Sequence, residues 1–253
     1  MLLQGKKGLV VGVANDRSIA AGCARVMAAH GARLALTFLN DKAKPYAAPT
    51  ADATRAECFM PLDVTDEATS DALFAWIEEN WGDLDFLIHS VAYCPKGDLH
   101  APVSECSRDG FLQAMDVSCH SFIRLAGRAA PLMPNGGLLL TVTYYGAEKV
   151  VDNYNIMGPV KAALEASVRY LAHDLGARNI RVNAVSPGPI ATRAASGIAF
   201  FDKLLDEAAS RAPARKLATV EDVGSLAAFL ASDGAAAITG GVHYVDCGYN
   251  VMS

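Results

Sequence analysis

A chain of 253 residues can bury a full core, and its regularly recurring apolar runs, unbroken by a proline-rich linker, charge block or repeat, predict one α/β domain over residues 1–253. The net charge of −5 offers no basic field to nucleic acid or an anionic membrane surface. The apolar run behind the amino terminus is too short for a signal peptide or membrane span, so a soluble cytoplasmic protein is expected. The cysteines, Cys23, Cys58, Cys94, Cys106, Cys119 and Cys247, are scattered without a CxxC or a His/Cys cluster, which predicts reduced thiols and no metal site.

Residues 8–13 form a short β-branched run, as expected for the first strand of a parallel sheet buried on both faces. A polar turn follows, then a helix-forming stretch that ends at Gly31, with Ser18 as its predicted N-cap. A helix start carries unpaired N–H groups and partial positive charge, so this turn is a candidate pyrophosphate site to which Ser18 would also donate. The usual G-x-G-x-x-G is missing; Gly12 and Gly22 flank a longer loop.

Residues 33–38 read as the second strand. Asp41 lies somewhat far along for a ribose-binding acid, and Lys42 and Lys44 leave the choice between NADH and NADPH open. Pro45 and Pro49 predict a short or irregular second helix. A third strand spans 57–64, where Asp63 is placed either to accept from an adenine amino group or to cap a helix starting near Thr65. Residues 67–79 form that helix, and 84–92 a fourth strand whose small terminal residues let a flat ring approach.

Residues 108–130 show a long helical pattern with Phe111, Met115, Phe122, Ile123 and Leu125 as core candidates. A fifth strand, 138–143, runs up to Tyr144, and in open α/β sheets ligands bind beyond the carboxyl ends of strands. A helix follows from about 158 to 177, with Pro159 acceptable only in its first turn. A sixth strand at 181–185 leads into a Pro/Gly-stiffened turn. The stretch from about 192 to 215 reads as a helical lid, 221–231 as a last helix capped by Thr219, and 241–246 as a seventh strand. The expected fold is therefore a doubly wound, Rossmann-like parallel sheet of about seven strands with helices on both faces.

Between the fifth strand and the next helix, Tyr154 stands seven positions before Lys161, with a second phenol at Tyr144. A nearby ammonium favours the phenolate, so the pair is a candidate acid–base centre.

Taken together, the order of motifs resembles the short-chain dehydrogenase/reductase superfamily over nearly the whole chain. The residues that carry this are the loop between Gly12 and Gly22, Asp63-Val64, the strand ending His89-Ser90-Val91-Ala92, the Tyr/Lys pair, and the run from Arg181 to Gly188. Ordinary members place a tyrosine four residues before the lysine and a serine thirteen before that tyrosine. Here those positions hold Met157 and Tyr144.

Instead, the seven-residue Tyr-to-Lys interval resembles that of the bacterial NADH-dependent enoyl-acyl carrier protein reductases. The neighbouring Tyr-Gly-Ala-Glu, Asn-Tyr-Asn-Ile-Met-Gly and Ala-Ala-Ser-Gly-Ile resemble that family too. A longer interval suits enoyl reduction, because hydride enters at the β-carbon while the charged oxygen lies two bonds further along. In helical conformation seven residues span ~10 Å against ~6 Å for four.

The resemblance implies type II fatty acid synthesis, a carrier-linked enoyl substrate, NADH and a homotetramer. Tyr144, Tyr154 and Lys161 would be catalytic, and Cys94, Tyr144 and Tyr154 would contact substrate. Cofactor contacts would come from Gly12, Ser18, Ile19, Asp63, Val64, Val91, Lys161, Ile190, Ala191, Thr192, Arg193 and Ala194. Leu39 stands where several family members carry a polar or basic residue toward the adenosine ribose. The alternatives are a short-chain reductase of another carbonyl or enoyl compound and a non-catalytic NAD(H)-binding regulator.

Overall fold

Seven apolar runs, most of them shielded from water on both faces, pair side by side in a single parallel sheet. The structure is a computed structural model and describes residues 1–192 and 201–252. The strands are β1 (Lys7–Val11), β2 (Arg33–Phe38), β3 (Cys58–Pro61), β4 (Phe86–His89), β5 (Gly137–Val142), β6 (Ile180–Pro187) and β7 (Val242–Val245). Their spatial order is β3-β2-β1-β4-β5-β6-β7, every neighbour parallel, so the winding reverses between β1 and β4. The expected Rossmann-like α/β fold is observed.

Helices cover both faces. On one side, α1 (Ile19–Ala29), α2 (Lys44–Thr54) and α9 (Val220–Ala231) pack on Val10, Leu36, Ile88, Leu140 and Val185. On the other, α3 (Glu67–Asn80), α5 (Arg108–Met115), α6 (Ser121–Ala129) and α7 (Met157–Gly176) pack on Leu9, Val11, Leu87, Leu139 and Val182. Two further helices, α4 (Lys96–His100) and α8 (Phe201–Arg211), stand near the carboxyl ends of the strands, where both contribute to a cavity.

Two expectations need correction. Helix α2 runs for 11 residues despite its prolines. Pro45 falls in the first turn, where its missing N–H costs nothing, and Pro49 forfeits a single ladder bond while Ala47, Thr50 and Ala51 remain buried. The long helix over 108–130 is interrupted by a π-helical turn at Asp116–His120. That extra residue rotates the phase of α6 relative to α5, leaving Phe111 and Ile123 on the surface at 39% and 37% exposure, whereas Phe122 and Leu125 are buried.

Gly22, which the sequence places at the end of the candidate phosphate loop, proves to be a packing residue inside α1. A Cβ on it would lie 2.4 Å from the Val220 carbonyl oxygen, and one on Gly224 of α9 would lie 2.7 Å from Gly22 O. Backbone atoms cannot yield as a flexible side chain can. Gly22→Ala is therefore expected to destabilise the chain by about 1–3 kcal/mol through forced separation of α1 and α9, a loss to be read from urea unfolding midpoints.

Candidate active site

The reversal between β1 and β4 opens a crevice at the carboxyl end of the sheet, and the loop after β1 runs along it. Gly12 takes φ +96°, and a Cβ there would fall 2.3 Å from the Ser90 carbonyl oxygen, so only glycine lets the two strand ends approach this closely. Gly12 N–H donates to Thr37 Oγ1 at 3.2 Å. Ser18 caps α1 as expected, accepting from Ala21 N–H at 3.2 Å. Its own proton goes to the Asn15 carbonyl at 2.8 Å, so the hydroxyl is engaged locally, and the anion-binding capacity of this turn rests on the helix's leading N–H groups.

Leu39 follows β2 at the rim and is 53% exposed. Asp63 neither caps α3 nor stands free. Its Oδ1 accepts from Thr65 N–H and Oγ1 at 2.9 and 2.7 Å, and the helix cap is Asp66. Val64 buries its side chain in the core, while its carbonyl accepts from Arg124 Nη2 at 2.5 Å.

A cavity of about 420 Å³ collects the other half of the predicted set. Ile19, Val91, Cys94, Tyr144, Tyr154, Lys161, Ile190 and Thr192 line it, whereas Gly12, Ser18, Leu39, Asp63, Val64 and Ala191 do not. Arg193 and Ala194 lie outside the described residues, as does the first part of the expected lid. Tyr93, Leu99 and Met157, which sequence reasoning missed, also line the cavity, as does Phe201 of the expected lid. Met157 sits at the start of α7 behind an irregular loop, and no periodic signal marks it as ligand-facing.

Tyr154 lies in the loop before α7, between Asn153 and Asn155, both at positive φ, a conformation asparagine tolerates. Asn155 Nδ2 donates to the Leu99 carbonyl at 2.7 Å, pinning the loop to α4. The Tyr154 ring meets Tyr144 edge-on, with centroids 4.9 Å apart, and Gly146 leaves room for this, since a Cβ there would be 2.5 Å from Tyr154 Cδ1. Burial pushes both phenols well above the ordinary tyrosine range. For Tyr154 desolvation comes first, and Tyr144 and Glu165 push the same way, so the phenol is a proton-bearing donor and not the phenolate that a nearby ammonium was expected to favour. The Tyr144 hydroxyl is buried without a partner among the described residues.

Lys161, only 4% exposed, donates Nζ–H to the Val142 carbonyl at 2.7 Å. Burial pulls its pKa down to about 8, with Cys119 and Glu165 working in the opposite direction. Behind it lies His89, fully buried at the end of β4, with Nδ1 2.9 Å from Thr141 Oγ1 and Nε2 2.8 Å from Ser121 Oγ. Burial lowers its pKa to about 3, so the ring is a neutral tie between β4, β5 and α6. A lone polar residue in an apolar run was the available signal for it.

Chemically, then, the site offers a cavity lined largely by apolar side chains, two neutral phenols and a buried ammonium, with the start of α1 at its edge through Ile19. The family model described as enoyl-(acyl carrier protein) reductase matches residues 12–250. The enoyl-[acyl-carrier-protein] reductase [NADH] 1 of Rhizobium meliloti is 49% identical over 99% of this chain and 92% of its own length. Its counterpart in Rickettsia typhi is 46% identical over 99% and 96%. The crystal structure of the enoyl-(acyl-carrier-protein) reductase from Anaplasma phagocytophilum in complex with NAD superposes with a TM-score of 0.96 at 47% identity, covering 100% of this chain and 97% of that one. The Bacillus cereus enoyl-acyl carrier protein reductase with NADP+ and indole naphthyridinone also gives 0.96, at 43% identity and with 100% and 99% covered.

Proposed function

Because the chain belongs to the enoyl-(acyl carrier protein) reductase family, we propose that it reduces the C2–C3 double bond of trans-2-enoyl thioesters in type II fatty acid synthesis, using NADH. The observation that carries this reading is a neutral phenol, Tyr154, held in an apolar cavity seven residues ahead of a buried lysine. When bound, NADH supplies the hydride that enters at C3.

The residues present suit that cofactor. Glycine at 12 lets the loop after β1 close on Ser90, and the start of α1, whose Ile19 lines the cavity, attracts phosphate. Ile19, Val91, Ile190, Ala191, Thr192, Arg193 and Ala194 would flank the nicotinamide half, with Leu39, Asp63 and Val64 toward the adenosine. Lys161 would bind the ribose hydroxyls, exchanging part of its bond to Val142 O. Tyr154 donates a hydrogen bond to the thioester oxygen as negative charge gathers there, a preorganised interaction strongest in the transition state. Tyr144, whose hydroxyl has no partner among the described residues, would assist at the same oxygen, and Cys94 would line the acyl path.

α8, with Phe201 on the cavity, would act as a lid of about 192–215 over one domain of residues 1–253. We further propose a cytoplasmic homotetramer; among the described residues no helix is long and apolar enough to cross a membrane. Sedimentation equilibrium tests the assembly.

The deciding assay is cofactor oxidation with crotonyl and longer enoyl thioesters, each with NADH and NADPH. Turnover should appear with enoyl thioesters and NADH. Turnover confined to ketones would make the chain a carbonyl reductase, and tight NADH binding without turnover, unaltered by Tyr154→Phe, would make it a binding protein.

A further inference from the structure

Glu165 lies one helical turn beyond Lys161 on α7 and is only 6% exposed. An apolar side chain would fill that position without the desolvation that a buried carboxylate suffers. Its Oε1 accepts from Thr143 Oγ1 at 2.7 Å, and Thr143, also buried, directly follows Val142, whose carbonyl accepts from Lys161. The end of β5 is therefore gripped twice from α7, by the ammonium at Val142 and by the carboxylate at Thr143, immediately before Tyr144. Thr143 N–H in turn donates to the Val185 carbonyl of β6 at 2.9 Å, so the gripped strand end is anchored on its far side.

We propose that Glu165 is a positioning residue for the reaction: it supplies the buried negative charge a helical turn from Lys161 and, through Thr143, fixes the strand end that Lys161 grips. The assignment rests on the proposed role of Lys161 in holding the cofactor. The other groups facing the lysine are Cys119 from the π-helical turn and the neutral His89 from β4. Glu165 itself faces Lys161, Arg169, Glu148, Tyr154 and Tyr244. Burial raises its pKa above the ordinary carboxylate range, while the Thr143 hydroxyl favours the charged form.

The test is the titration of the Lys161 ¹³Cε resonance in the full chain without cofactor, assigned by its loss in Lys161→Met. Glu165→Gln, which keeps an acceptor for Thr143 but removes the charge, should lower the Lys161 midpoint by about half to one pH unit. Glu165→Asp should hold it near the wild-type value. In the wild type the same resonance should carry a second, smaller inflection where Glu165 titrates, a readout that needs no variant to fold. An unmoved midpoint in folded Glu165→Gln, or a wild-type titration with no second inflection, overturns the proposal. Absence of enoyl turnover in the wild type would instead defeat the functional reading and leave this titration standing.

Discussion

Tyr154→Phe is expected to lower kcat about 100-fold while the KM for NADH stays within about twofold. The substitution removes one oxygen from a ring whose packing against Tyr144 and Gly146 is otherwise kept. Since burial already holds the phenol protonated, the loss is that of a hydrogen-bond donor to the developing oxyanion. The wild-type rate should accordingly show no alkaline limb from ionisation of Tyr154 itself. Steady-state kinetics with an enoyl thioester between pH 6 and 10 check both points. A variant with unchanged kcat and a raised substrate KM would demote Tyr154 to a ground-state contact.

Lys161→Met should have the opposite signature, weakening NADH binding about 10- to 100-fold, as loss of charge-assisted hydrogen bonds to a buried ammonium would. It should also make the cofactor-free protein more resistant to unfolding at pH 7. In the folded chain Lys161 gives up its proton near 8, and in the unfolded chain near 10.5. Below about pH 8 the native state carries a charge it disfavours, a penalty of roughly 3 kcal/mol.

Leaving Val142 O unpaired offsets about 1–3 kcal/mol of what the variant gains. The net advantage is then about 1 kcal/mol, or a few degrees in Tm. Between about 8 and 10.5 the unfolded wild type binds the extra proton, so wild-type stability rises with pH and the variant's advantage disappears. Calorimetry at pH 7 and pH 10.5 reads the difference directly. A variant less stable than wild type at both pH values would mean that Lys161 is kept for packing rather than for its ligand.

The same two residues show where sequence reasoning reached and where it stopped. The interval between Tyr154 and Lys161 is visible in one dimension and distinguishes the site from that of an ordinary carbonyl reductase. The protonation of Tyr154 is not visible, because it depends on how completely the loop, Tyr144 and α7 exclude water. Ser18 caps α1 as expected, whereas Asp63 leaves the α3 cap to Asp66 for a related reason. Polar residues at helix starts are drawn into short-range bonds with Asn15, Ala21 and Thr65 that no spacing rule ranks against ligand binding.

From residue order alone came the parallel sheet, since strands buried on both faces must be continuously apolar, along with the α1 and β2 boundaries and the Tyr/Lys interval. Only the folded chain decided that a π-helical turn exposes Phe111 and Ile123, that Gly22 serves helix packing, that His89 ties β4 to β5 and α6, and that Glu165 meets Thr143 next to the strand end bonded by Lys161. Periodicity is a property of neighbours in sequence. Desolvation and polar contacts between distant strands and helices depend on which elements meet, and here the two strand ends flanking the crevice, β1 and β4, are joined by about 75 residues of intervening chain.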